Sequence, residues 1–203
     1  MPVPTVYVLD DDVDVLRATE RLLVSAGIRV AAFQSAGAFL AACDEMPQGC
    51  LVVDLAMQGM SGIDVQRVLT ERGNPLPVIF LTGRGDIRTC AEVMKNGAVD
   101  FLTKPVDEAE LLAAVSTALA RDELQYRERA ARARNARALE TLTDREREVL
   151  HHVVSGRLNK QIAADLGTTE RTIKFHRGNL MRKLGIRTVA ELVRIAGSGG
   201  AGH

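Results

Sequence analysis

Leu51-Val52-Val53-Asp54 is the stretch on which the fold turns. Three apolar residues, two of them β-branched, read as a buried strand. A carboxylate follows at once, then Leu55-Ala56-Met57 and a turn containing Gly59 and Gly62. Open α/β sheets bind ligands outside the carboxyl ends of their strands, near the switch in strand order. Asp54 alone therefore has two readings: a residue that starts a turn, or a group placed where chemistry happens.

The neighbouring segments decide between them. Upstream, residues 5–9 form a strand that runs into Asp10-Asp11-Asp12, and residues 29–33 form a weaker one. Downstream, residues 77–82 are a fourth strand, broken by Gly83-Arg84-Gly85, and residues 99–102 a fifth, followed by Thr103-Lys104-Pro105. Helices are expected between them. Leu16, Leu22, Leu23 and Val24 supply the stripe of the first, closed by Gly27, and Ser35 caps a short second one ending near Cys43. Residues 61–72 are the third, with Ile63, Val68 and Leu69 apolar and Val65 less buried, and Asp86 caps a fourth ending at Asn96-Gly97. Such alternation means a parallel sheet covered on both faces.

The first, third, fourth and fifth strands end in Asp10/Asp11, Asp54, Thr82 and Lys104. Turn statistics do not put a polar group at each of these ends. Clustered carboxylates are costly without a cation. Oxygen ligands with room for water suit Mg²⁺, and a lysine with a hydroxyl suits an added phosphoryl group. Asp12 reads as the cap of the first helix and Asp14 as a solvated acid in its first turn.

With Met57, Phe101 and Pro105, these residues resemble a response-regulator receiver domain over roughly residues 3–122. The resemblance implies a flavodoxin-like α/β fold: a five-stranded parallel sheet, order 2-1-3-4-5. It implies Asp54 as phosphoacceptor, Mg²⁺ (or Mn²⁺) held by Asp11, Asp54 and the backbone carbonyl of Ala56 with Asp10 assisting, and Lys104 on the phosphoryl oxygens. It also implies a cis Lys104-Pro105 bond, Thr82 and Phe101 as a switch pair, and Phe101 partly exposed at rest. Ala56 and Arg84 occupy positions that flank the phosphoryl site. One residue departs from the family: position 58 is usually proline and here is Gln58, which suggests a looser loop after Asp54. A phosphotransferase enzyme is disfavoured, because Ala56 stands where a second acid would be needed.

The charge is unevenly spread although the 203-residue chain is neutral overall. Residues 1–120 hold 9 basic and 16 acidic side chains, residues 121–140 hold 6 and 4, and residues 141–203 hold 11 and 6. An acidic front and a basic back suggest two domains with different partners, the second nucleic acid. Hydrophobic content of 46% supports an ordinary core, and without tryptophan that core is aliphatic. Cys43, Cys50 and Cys90 form no paired motif and read as small apolar side chains in a reducing compartment. With no signal peptide and no long apolar run, a cytoplasmic protein off the membrane is expected.

Residues 121–140 read as a helical linker continuing a helix capped by Asp107 and packed through Leu111, Leu112, Val115 and Leu119, with fraying near Asn135. Leu112, Leu119 and Tyr126 fall at heptad spacing, which leaves a short dimer seam and a solvated helix both open. The arginines read as a solvated face rather than a DNA patch.

Residues 141–197 read as a small all-α four-helix domain. Thr143-Asp144-Arg145-Glu146 and Thr188-Val189-Ala190-Glu191 are capping boxes. Val149, Leu150 and Val153 are core on the first helix, and Ile162, Ala163 and Leu166 on the second. Thr169 caps the third, whose buried edge is Ile173, Leu180 and Leu184. Two short helices about a glycine-containing turn make a helix-turn-helix. Arg171, Lys174, Phe175, Gly178 and Arg182 lie on the opposite side of the third helix, and an exposed Phe beside cations suits a thymine methyl in a major groove. Asn159, Lys160, Thr168 and Thr172 are placed for phosphates near the helix N-terminus. Residues 141–196 resemble a LuxR-type DNA-binding domain through Leu142-Thr143-Asp144-Arg145-Glu146, Asn159-Lys160-Gln161-Ile162-Ala163 and Thr172-Ile173-Lys174-Phe175-His176. Together the two halves resemble the NarL/FixJ class, and the Thr82-Gly83-Arg84-Gly85-Asp86 turn its FixJ branch. Phe175 replaces a frequent valine, and Gly178 lacks the basic side chain of some relatives, leaving Arg177 or Arg182 for backbone contact. His176, His151 and His152 have no ligand pattern for a metal.

The organisation expected is thus a receiver over 1–120, a linker over 121–140, a DNA-binding domain over 141–197 and a disordered tail over 198–203. The expected function is transcriptional regulation: a sensor histidine kinase phosphorylates Asp54, the chain forms a homodimer and binds double-stranded DNA, with RNA polymerase a further partner. Leu192, Val193 and Ile195 are the dimerisation candidates. The alternative is a phosphorylation-independent DNA binder whose receiver is a fixed dimerisation block.

Overall fold

Side chains alternate across a strand, so each central strand feeds two cores at once. The computed structural model describes residues 3–43, 48–74, 76–83 and 97–199. In it β1 (Thr5–Leu9), β2 (Arg29–Phe33), β3 (Gly49–Asp54), β4 (Val78–Thr82) and β5 (Asp100–Thr103) form one parallel sheet in the order β2-β1-β3-β4-β5. Tyr7, Leu9, Leu51, Val53 and Phe80 point to one face, against Phe39 and Leu40 of α2 (Ala36–Ala42) and Val65 and Leu69 of α3 (Gly62–Glu71). Val6, Val8, Cys50, Val52, Ile79 and Leu81 point to the other. There they meet Leu16 and Leu23 of α1 (Val13–Ser25) and Leu111, Ala114, Val115 and Ala118 of α4 (Glu108–Glu140). β1, β3 and β4 are buried throughout, while the edge strands β2 and β5 are not.

Two apolar positions differ from the sequence reading. Val24 is exposed, because the α1 stripe turns past it, and Val65 is fully buried at the centre of α3 where less burial was expected. The expected helix from Asp86, with Arg84 and Cys90, lies outside the described residues. Burial pushes the Cys50 thiol up to about 12, so it packs as an apolar group. Gly49 is required: a Cβ there would sit 1.7 Å from the carbonyl oxygen of Thr5.

The chain divides into two compact units after Tyr126. α4 is unbroken over its 33 residues, with no fraying at Asn135, because Ala138 and Leu139 are anchored in the core of the second unit. That unit holds α5 (Asp144–Val154), α6 (Asn159–Asp165), α7 (Glu170–Leu184) and α8 (Val189–Gly199). Its core is Val149, Val153, Ile162, Ile173, Leu180 and Leu192. Both capping boxes form: the Thr143 amide donates to Glu146 at 2.9 Å and the Thr188 amide to Glu191 at 3.0 Å. α7 ends on Gly185, whose φ of 64° a glycine adopts without steric cost. The tail expected to be disordered from 198 begins inside α8, which includes residues 198 and 199; residues 200–203 lie outside the described residues. No helix among the described residues is long and apolar enough to cross a membrane.

Candidate functional site

The carboxyl ends of β1, β3 and β5 bring the expected groups together. Carboxylate oxygens of Asp10, Asp11 and Asp54 lie within 4.8 Å of one another. The Lys104 ammonium donates to Asp10 Oδ2 at 2.7 Å and sits 2.7 Å from Asp54 Oδ1. Asp10 and Asp54 are buried, Lys104 is mostly buried, and Asp11 faces solvent. Backbone amides complete the shell: Asp12 N donates to Asp10 at 3.0 Å and Ala56 N to Asp54 Oδ2 at 3.1 Å. Asp12 does not join the cluster. Its carboxylate caps α1, accepting from the amides of Asp14 and Val15.

The electrostatics follow from burial and pairing. Desolvation raises the Asp10 pKa, against Lys104 and the Asp12 amide, which lower it. Burial also disfavours the charge on Lys104, yet its bonds to Asp10 and Asp54 outweigh this and raise its pKa. Three oxygen donors at one solvent-facing mouth fit a hard divalent cation such as Mg²⁺. The residues present therefore suit the group that the sequence implied.

Gln58 has a role that the loop sequence did not reveal. Its backbone N–H donates to Asp11 Oδ2 at 2.9 Å. A proline at 58 has no such hydrogen. The residue expected to loosen the loop instead ties it to Asp11, a member of the carboxylate cluster.

Thr82 is buried at the end of β4, and its carbonyl accepts from the Lys104 amide at 2.7 Å. Phe101, on edge strand β5, is 37% exposed, and the Lys104-Pro105 peptide is cis.

In the second unit, α7 presents Arg171, Lys174 and Phe175 to solvent, with Phe175 at 65% exposure and edge-on to His176. Lys160, Arg171 and Lys174 make no ion pair or side-chain hydrogen bond among the described residues. Other expected DNA contacts are already engaged. Arg177 donates to Asn159 Oδ1 at 2.6 Å, Arg182 donates to Asn179, and the Thr169 hydroxyl accepts from the Thr172 amide as the cap of α7. Thr168 is half-buried beside that cap. Gly178 opens onto free space, so packing does not demand glycine there. Sequence reading missed an ion pair between α7 and α5: the exposed Lys183 lies 2.6 Å from the buried Glu146 and lowers that carboxylate's pKa.

The dimerisation candidates divide. Leu192 and Ile195 are buried in this unit's own core, because α8 turns that face inward, and only Val193 is exposed. Leu192→Ala is expected to cost about 2–5 kcal/mol of stability by cavity formation. Val193→Ala should shift thermal unfolding little, by less than about 1 kcal/mol. Equal losses in a denaturant titration would contradict this division.

Comparisons with known proteins agree on both units. Residues 6–116 match the family described as the response regulator receiver domain, and residues 140–196 the luxR family of bacterial regulatory proteins. The chain is 44% identical to the response regulator protein TmoT of Ectopseudomonas mendocina over 191 residues, spanning 94% of this chain and 86% of that protein. It is 42% identical to the transcriptional regulatory protein FixJ of Azorhizobium caulinodans, spanning 94% and 90%. The low-resolution structure of the response regulator StyR superposes with a TM-score of 0.84 at 41% identity, covering 96% and 98%. A receiver sheet ending in a carboxylate cluster, a helix-turn-helix with free cations on its outer helix, and relatives matched along both units lead to one assignment: the chain belongs to the response regulators of the NarL/FixJ class, which join a receiver domain to a LuxR-type DNA-binding domain.

Proposed function

We propose that this regulator is controlled by phosphorylation of Asp54. A partner sensor histidine kinase supplies the phosphoryl group, and DNA affinity rises as a result. The observation that carries this is the Lys104 ammonium held 2.7 Å from both Asp10 and Asp54, with Asp11 alongside. A carboxylate oxygen of Asp54 attacks the donor phosphorus, the bond to the donor breaks, and an acyl phosphate remains. Lys104 is placed to pair with the new phosphoryl oxygens. Asp10, Asp11, Asp54 and the carbonyl of Ala56 would hold Mg²⁺ or Mn²⁺, which neutralises the charge that builds up on phosphorus. The Thr82 hydroxyl then turns toward the phosphoryl group, and Phe101 moves into the space beside β5. An event at one strand end becomes a change of surface.

That surface favours a homodimer, and two helix-turn-helix units read a two-fold DNA site. In the DNA-binding unit, Val193 borders a groove with Leu150 and Val154, which suits contact with a second copy. Lys160, Arg171 and Lys174 reach phosphates and base edges, and Phe175 meets a thymine methyl. The protein works in the cytoplasm, hands its signal to RNA polymerase, and has no substrate beyond its own phosphodonor.

The test is DNA affinity with and without acetyl phosphate and Mg²⁺ in a salt-controlled titration. Affinity should rise about 5–150-fold, the usual span of coupling between two sites. Unchanged affinity would overturn the proposal and leave the receiver as a fixed dimerisation block.

A further inference from the structure

The stretch of α4 that belongs to the second unit has an unusual surface. Over residues 129–139 there is no acidic side chain and there are four arginines. The half-buried positions are Ala131, Asn135, Ala138 and Leu139, and Ala138 and Leu139 pack on the core of the DNA-binding unit. Every exposed position is Arg or Ala: Arg129, Ala130, Arg132, Ala133, Arg134, Ala136 and Arg137. Arg132, Arg134 and Arg137 make no ion pair or side-chain hydrogen bond among the described residues. A solvated helix face ordinarily intersperses acids and bases, with pairs one turn apart. This one leaves positive charge unbalanced and places only methyl groups between the guanidiniums.

The position of this face gives it a partner. The Lys183 ammonium, near the end of α7, donates to the carbonyl of Thr141 just beyond α4 at 3.0 Å. Arg147 Nη2 donates to the carbonyl of Glu140. The end of α4 is thus held to α5 and to the C-terminal end of α7, the helix that carries Arg171, Lys174 and Phe175 nearer its start. At 1.5 Å rise per residue, Arg137 lies about 6 Å and Arg129 about 18 Å along α4 from Thr141. Guanidiniums bind phosphate oxygens in bidentate geometry, and alanines let the helix approach a phosphate backbone closely.

We propose that the Arg/Ala face of α4 is a second DNA-binding surface, which contacts backbone phosphates flanking the helix-turn-helix site without reading bases. The proposal rests on the DNA-binding reading above and adds a surface to it. An acidic protein surface is the competing occupant.

The test compares the full chain with its R132Q/R134Q/R137Q variant on random-sequence duplexes, with acetyl phosphate and Mg²⁺ present. Each phosphate contact contributes a slope of about 0.9 to the fall of log affinity with log salt. The triple variant should lose about 2–3 units of slope on a duplex of about 40 base pairs. It should lose little on a duplex trimmed to about 12 base pairs, which ends inside the helix-turn-helix footprint. The matching arginine-to-lysine triple variant should recover most of the slope, since it keeps the charge. Glutamine is a good helix former, and circular dichroism checks that α4 persists. Lys174→Ala is the control, expected to weaken binding on both duplexes. An unchanged slope in the glutamine variant overturns the second surface, as it would if the face met an acidic protein instead. Failure of the wild type and of the Lys174→Ala comparison would instead count against the DNA-binding reading itself.

Discussion

Asp54→Asn is expected to abolish incorporation of label from a radiolabelled phosphodonor in the presence of Mg²⁺, and with it any donor-dependent gain in DNA affinity. The carboxamide is isosteric, and its one oxygen can keep the contact that Lys104 makes at Oδ1; only the weaker Ala56 amide bond at Oδ2 loses its acceptor, and Lys104 stays paired with Asp10. Folding should therefore survive. What is lost is chemistry: a neutral amide is not a nucleophile toward phosphorus, and one negative charge leaves the carboxylate cluster. DNA affinity should stay at the unphosphorylated level whatever the donor. Label at wild-type levels in the variant would remove Asp54 from the centre of the site.

Lys104→Ala should act through stability as much as through chemistry. Removing one partner of a buried ion pair leaves uncompensated charge and costs about 3–5 kcal/mol. Lys104 keeps 22% of its side chain in solvent, so a loss near the lower end, about 3 kcal/mol, is expected. The loss should depend on pH. Burial already raises the Asp10 pKa above 3.8, and without Lys104 it rises further. A carboxylate whose folded pKa exceeds its unfolded value destabilises the fold as pH rises through that window. The variant should thus sit closest to wild type in acid and fall away as pH rises above the ordinary carboxylate range. Millimolar Mg²⁺ should recover part of the loss, because a cation among Asp10, Asp11 and Asp54 replaces the missing ammonium. Urea titrations with and without Mg²⁺ check both effects; a deficit independent of pH and Mg²⁺ would mean that Lys104 matters only for packing.

The parts of the fold that depend on local periodicity could be read directly from the chain. β1, β3 and β4 are short apolar runs ending in polar groups, so their type and the chemistry at their ends were both visible. The helix caps were equally plain, because Thr143 with Glu146 and Thr188 with Glu191 need only four residues of sequence. What escaped depends on distant partners or on helix phase. Asp122 looks like one more solvated acid in a charged helix. In the structure it is buried, accepting at 2.9 Å from the amide of Gly49 on a strand far earlier in the chain. Leu192, Val193 and Ile195 are equally apolar, and only the packing of α8 separates two core residues from one exposed one. Gln58 acts through its backbone, so its side chain could not announce the bond to Asp11. The setting of the Arg/Ala face escaped for a similar reason. Composition shows the arginines, but only the packing of Ala138 and Leu139 shows that they ride on the DNA-binding unit.

The proposed control of DNA binding by one residue at the end of β3 is tested most directly by locating the phosphoryl group. The chain is treated with acetyl phosphate and Mg²⁺, reduced with borohydride, which converts an aspartyl phosphate to homoserine, and mapped by peptide mass spectrometry. Homoserine at position 54, appearing in step with the gain in DNA affinity, is the expected result. Homoserine at Asp10 or Asp11, or a gain in affinity with Asp54 unmodified, would contradict it.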